Sequence, residues 1–432
     1  MDRTPRLTAR LAAIVVAALV AAGCGAGSSP TREAAGESAA ATIIATPIPT
    51  PTPIPTPTPV PTGPVLRWTP VLSSDGPSKL AAKLTGGITA AVASGDGFVL
   101  AGSESQGQHA VVWYSPDGSA WQAIDNVPGF ADGVIGYLVP LPKGLLAVGT
   151  AQKLDSECAG GALDCNPISP IRLWTSPDGR AWRALPSAVT EPFGRALVSL
   201  IVLGPAGLVA FGELVPVTGT DITSMVWTSP DGLAWTRQPQ FSSAFPADTM
   251  VDMAAGPGGY EAVGSRSAGG NLTQPRRAWH STDGKTWKLA SGPAAAGPTV
   301  VMACAGGFFG VDNPSATATF WTSADGLRWA VQPNVVDRPD YPSYVGEGLF
   351  SDGDRVLALG ADPYRTRGAW LSTDGRNWQS VVRGDPQPPI ESAALGSVFG
   401  AFGSTGLIVT TATDTGPGQP IWTIWLGTFS QP

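Results

Sequence analysis

The stretch "VWTSPDGLAW" at residues 226–235 returns as "LWTSPDGRAW" at 173–182, "AWHSTDGKTW" at 278–287 and "FWTSADGLRW" at 320–329. In "SPDG" the proline suits the second position of a type I turn, the aspartate can bond nearby backbone amides, and the glycine supplies a positive φ for re-entry into a strand. Where Thr282, Ala324 and Thr373 replace the proline, the Asp-Gly pair remains. A tryptophan stands on each side, large enough to fill a wedge between neighbouring units.

The pattern Trp-x-Ser-x-Asp-Gly-x-x-Trp begins at Trp113, Trp174, Trp227, Trp279, Trp321 and Trp370. Its later positions are Ser115, Asp117, Gly118 and Trp121; Ser176, Asp178, Gly179 and Trp182; Ser229, Asp231, Gly232 and Trp235. They continue as Ser281, Asp283, Gly284 and Trp287; Ser323, Asp325, Gly326 and Trp329; Ser372, Asp374, Gly375 and Trp378. Spacings of 61, 53, 52, 42 and 49 residues between starts belong to solenoids or propellers. Within a unit, a short apolar run, a Gly-rich turn, a second apolar run, a variable loop and the tryptophan hairpin follow in order. The third unit reads "ALVSLIVLG", "PAG", "LVAFG" and "MVWTSPDGLAW". Such runs have strand length and no 3.6-residue period, so each unit predicts four antiparallel strands.

The chain ends predict a seventh hairpin. "LRWTPV" at 66 matches "LRWAVQ" at 327, and "IWTIWLG" at 421 aligns with "AWLSTDG" at 369, so Trp68 and Trp422 complete the tryptophan set. The expectation is all-β: a seven-bladed β-propeller of four-stranded blades over 65–432, closed by the N- and C-terminal strands.

The hairpin resembles the Asp-box, the bacterial neuraminidase repeat of sialidases, sortilin-type receptors, the photosystem II assembly factor family and xyloglucan-hydrolysing enzymes. Here Asp and Gly are adjacent, where the usual motif separates them by one residue. The resemblance implies that the six aspartates are structural and peripheral, and that function lies on the opposite face. There, loops following each second tryptophan, and loops between second and third strands, carry Arg195, Arg266, Arg276, Arg277, Arg338, Asp340, Tyr341, Tyr344, Arg365 and Arg367. Arginine forks suit carboxylates and tyrosines can stack on sugars or peptides. A sialidase resemblance would further imply three converging arginines and a tyrosine nucleophile. Those enzymes carry Phe/Tyr-Arg-Ile-Pro near the first blade, absent from this chain, and have six blades. Asp337 and Asp340 could serve as a glycosidase carboxylate pair, but "DRPDYP" reads first as solvated turn formers.

Three arginines, Arg3, Arg6 and Arg10, precede the apolar run "LAAIVVAALVAAG", too short to span a membrane and ordered like a secretory signal. Cys24, after Ala21, Ala22 and Gly23, resembles the lipobox of bacterial lipoproteins. That resemblance implies cleavage after residue 23, lipidation of Cys24 and anchorage on the outer face of the cell membrane. Residues 24–64 form a linker containing "TPIPTPTPIPTPTPVPTGP" from Thr46. Its prolines predict polyproline II, a stalk of roughly 50 Å at about 3.1 Å per residue.

Charged residues make up 14% of the 432-residue chain, well below the roughly 25% usual for soluble domains. The formal charge of -7 becomes -9 without residues 1–23, whose three arginines oppose only Asp2. An acidic chain without a basic cluster argues against nucleic acid. His109 and His280, the two histidines, stand far apart and read as ordinary surface residues, so neither metal nor cofactor is expected. Cys158 and Cys165 read as a disulfide within one loop, and Cys304 as a small buried hydrophobe. The functional expectation is a monomeric, membrane-anchored, non-catalytic module binding a glycan, peptide or protein partner. The alternative is an extracellular glycan hydrolase, sialidase-like or other, working on the same face.

Overall fold

In the computed structural model, the third unit forms strands Ala196–Gly204, Gly207–Leu214, Thr223–Ser229 and Thr236–Gln238, hydrogen-bonded in that order as one antiparallel sheet. The described residues are 64–95, 97–104, 109–152, 166, 168–219, 222–238, 248–266, 276–292, 297–312, 318–332, 342–362, 364, 367–383, 399–413 and 420–430. For Tyr344, Gly346, Glu347, Asp248, Thr249, Ser265 and Arg266 only the backbone is described.

Among the described residues, five sheets share this four-stranded plan, and a sixth sheet of eight strands holds two further sets of four. Its halves meet through parallel pairing of Val65 and Leu66 with Val382 and Arg383. The described residues are therefore all-β, apart from short helical turns such as Lys79–Ala82 and Ser187–Thr190. Counting the halves separately, the first strands are Ile88–Ser94, Gly133–Leu141, Ala196–Gly204, Asp248–Gly256, Val300–Cys304, Tyr344–Ser351 and Phe399–Phe402. Each touches the first strand of the next set, and the last touches the first. Hydrophobic clusters repeat the cycle, each filled from two adjacent sets.

The turns explain the repeated residues. Ser229 Oγ accepts from the Gly232 amide at 2.8 Å, and Asp231 Oδ1 accepts from the Leu233 and Ala234 amides at 2.8 and 3.2 Å. Gly232 stands at φ +81°, a conformation that side chains resist. Trp235 Nε1 donates back to the Gly232 carbonyl at 3.0 Å. The aspartate bonds recur in all six turns. At Asp117, the Ala120 and Ser119 amides hold the carboxyl down at about 2.

One turn deviates. Trp329 Nε1 reaches Glu261 Oε1 at 2.9 Å, and Glu261 Oε2 lies 3.2 Å from His280 Nδ1. Glu261 is 0% and His280 5% exposed, so the surface reading of His280 is corrected: it packs under Gly326 of the next set. In the preceding sheet the same places belong to Val209 and Thr228, which face Gly284. His109, by contrast, is exposed beside Glu104.

The closing strand Val65–Ser73 pairs antiparallel with Ile421–Ser430, and Trp68, 2% exposed, is opposite Gly427. The equivalent of Trp370 is Trp425, because Val409 pairs with Trp425 as Ala358 pairs with Trp370. This corrects Trp422, which instead packs against Gly87, Leu84 and Ile88 of the first set. Cys304 is a buried free thiol.

The inward edge of each first strand has unpaired backbone groups, and side chains bridge several of them. Thr89 Oγ1 donates to the Ile135 carbonyl at 2.6 Å and Tyr137 Oη to that of Ser199 at 2.5 Å. Asp252 Oδ2 accepts from the Val301 amide at 2.8 Å. Ladder irregularities beside Ala90, Tyr137, Leu200 and Asp252 re-aim the strand at each of these points, as bulges do.

Candidate functional site

Strand direction places the Trp-Ser-Asp-Gly turns at one end of the six sets that carry them; loops entering the first strands and joining second to third strands occupy the other. Arg195, just before Ala196–Gly204, is committed to loop architecture: Nε donates to the Val215 carbonyl at 3.2 Å and the guanidinium to that of Asn166. Asn166 in turn donates through Nδ2 to Pro216 and Gly219 at 3.1 and 2.7 Å. Arg276 begins strand Arg276–Ser281 and forms an ion pair with Asp312 of the next sheet; burial pulls its pKa down. Arg277, its neighbour, is half-buried.

Arg367 is exposed, and its register partner Ala361 also pairs with Tyr344, so these two candidates share one row of one sheet. Arg195 and Arg276 stand in other sheets. Arg266 pairs through its backbone with Asp248. Arg338, Asp340, Tyr341 and Arg365 lie outside the described residues, as do Cys24, Cys158, Cys165 and Asp337.

The same end carries groups that sequence reading missed. Asp252 is half-buried among the inner strands, and desolvation pushes its carboxyl up to about 7 against hydrogen bonds from the Val301 and Met253 amides. Lys83 bridges Asp125 and Glu104, and His109 Nδ1 lies 3.4 Å from the same Glu104. Among the described residues, no group of three or more His, Cys, Asp or Glu could hold a metal ion.

A pocket of about 700 Å³ opens at this end of the second sheet. Pro128, Gly129 and Asp132 come from the loop entering its first strand, Ala151, Pro170 and Arg172 from either side of its second loop, and Leu185, Ser187 and Thr190 from the segment beyond Trp182. Arg172 grips Asp132 with two bonds, Nη1 to Oδ1 at 2.6 Å and Nη2 to Oδ2 at 2.8 Å, and also reaches the Gly129 carbonyl at 3.2 Å. That bond with Arg172 holds Asp132 below the usual carboxylate range. The two partners are separated by 40 positions, and neither belongs to the repeated motif, so only topology brings them together.

Neither a family model nor a curated protein matches the sequence. Among solved structures, the chain is similar to Trypanosoma rangeli sialidase in complex with sialic acid, at 12% identity and TM-score 0.37, covering 80% of this chain and 55% of that one. A puromycin-hydrolyzing peptidase of Mycobacterium tuberculosis is similar at 14% identity and TM-score 0.45, covering 84% and 54%. Zg3597, a family 117 glycoside hydrolase of Zobellia galactanivorans, is similar at 10% identity and TM-score 0.33, covering 58% and 84%. The chain thus spans about half the length of the sialidase and the peptidase. At these values the likeness carries no argument about what this chain binds or cleaves.

Proposed function

We propose that this chain is a seven-bladed β-propeller that binds a glycan, peptide or protein partner without transforming it. Its blades would be the five four-stranded sheets and the two halves of the sixth; the cyclic contacts of first strands and the cyclic series of clusters support that count. The observation that carries the non-catalytic reading is the state of the charged groups at the loop end. Arg195, Arg276 and Arg172 each engage a carbonyl or carboxylate of this chain, and Asp132 is held ionised. These three arginines form no cluster open to an anion.

The proposal extends to address and state: a lipid on Cys24, export to the outer face of the cell membrane, a proline-rich stalk, a disulfide between Cys158 and Cys165, a monomer, and no nucleic-acid partner. Screening the full chain in detergent on glycan and peptide arrays, with fluorogenic glycosides assayed in parallel, tests the central claim. Specific binding without turnover is expected; turnover overturns it. The hydrolase reading has one observation in its favour, the Asp252 carboxyl near 7, where general acids and bases work best at neutral pH. It requires turnover that Asp252→Asn abolishes.

A further inference from the structure

The pocket of the second sheet points to a ligand class. We propose that it binds a short, extended peptide segment of a partner, taking a bulky aliphatic side chain between Pro128, Pro170 and Leu185; this rests on the binding reading above and deepens it.

The walls favour an aliphatic group over a sugar ring. Pro128 and Pro170 are exposed and Ala184 and Leu185 half-buried, so the accessible lining is aliphatic. The lining's aromatic residue, Trp174, is 0% exposed and its Nε1 already donates to the Pro128 carbonyl at 3.1 Å. It offers no ring face on which a sugar could stack.

The rim selects a neutral amide over an ion. Asp132 and Arg172 neutralise one another, with side chains 58% and 32% exposed, so both remain within reach of a ligand. A bound anion would meet the Asp132 carboxylate on a chain of net charge -7, and a bound cation would meet Arg172. A peptide unit instead carries one N–H and one C=O. Asp132 keeps unused lone pairs for the first, and Arg172 uses three of its five N–H groups here, leaving donors for the second. The volume of about 700 Å³ falls within the roughly 300–1,000 Å³ of small-ligand sites, enough for an anchor side chain and the chain that bears it.

The test is selection from a phage-displayed library of random linear peptides on the full chain in detergent. Enriched peptides are then synthesised and titrated against wild type, Leu185→Arg, Ser187→Trp and Arg172→Met. Ser187 is exposed, so a tryptophan there crowds the pocket without entering the core, and unchanged near-UV circular dichroism certifies each variant. Enriched sequences sharing an aliphatic residue, with affinity falling about tenfold or more in Leu185→Arg and Ser187→Trp and by a smaller factor in Arg172→Met, are the expected result. Peptides that bind all variants alike, or a ligand that proves to be a glycan, overturn the pocket assignment and leave the binding reading standing. A folded chain that binds neither peptide nor glycan overturns both.

Discussion

Glu261 and His280 occupy a place that Val209 and Thr228 fill one sheet earlier. Desolvation raises the Glu261 carboxyl well above its ordinary value and lowers the His280 imidazole, so burial favours the neutral form of each. Glu261 Oε2 faces His280 Nδ1 while Oε1 accepts from Trp329 Nε1. Replacing buried polar partners together with apolar groups is often neutral or stabilising, whereas removing one leaves the other unsatisfied. Glu261→Val with His280→Thr should therefore raise stability by about 1–4 kcal/mol, with Trp329 free to adopt the bond to Gly326 that Trp235 makes to Gly232. Glu261→Val alone should lower it by about 1–3 kcal/mol. Denaturant titration of the two variants decides; equal effects would refute the pairing. Local chemistry made the Ser-Asp-Gly turns legible in the sequence, because every bond in them spans three positions or fewer. Glu261 and His280 were hidden because only strand register sets them side by side.

Asp252 belongs to the scale of elements, since it joins the inner strands of the fourth and fifth sheets. Its carboxyl is raised from 3.8 to about 7, with desolvation the main cause, so the folded state favours the protonated form. Stability from this group is complete below pH 3.8 and is lost as pH rises through about 7. Compared with Asp252→Asn, the wild type should lose on the order of a few kcal/mol between pH 4 and 8. Parallel stability curves for the two proteins would dismiss the assignment. Register also explains what the terminal strands disclosed. "LRW" located Trp68 because its neighbours repeat those of Trp329. Trp422 and Trp425 stand three apart in one strand, and only pairing with Leu407–Thr413 shows which of them takes the Trp370 position. The pocket rim was illegible for the same reason, its arginine and aspartate deriving meaning from a loop closure and not from a motif.

For the whole molecule, the closing strand and the proposed lipid anchor make separate claims. Trp68→Ala removes a large side chain, 2% exposed, from the cluster it shares with Leu357 and Val409. A loss of about 3–5 kcal/mol is expected, read by thermal or denaturant unfolding; a cost near zero would mean that the closing strand is dispensable. Cys24→Ala should shift the chain from the membrane fraction to the soluble exported fraction without altering its melting temperature. Retention in the membrane would refute lipid anchorage at that residue.

Closure also sets a timetable. Ser73 and Thr423, hydrogen-bonded at 3.2 Å, are 350 positions apart, so strand Val65–Ser73 waits for strand Ile421–Ser430. Ribosomes that stall before residue 421 release an open ring, with Trp68 uncovered and two sheet edges ready to pair with other chains. A nascent chain thus leaves Val65–Ser73 without its partner until Ile421–Ser430 has been made, and proteases can tell a product that lacks the later strand from one that carries it by that missing partner alone.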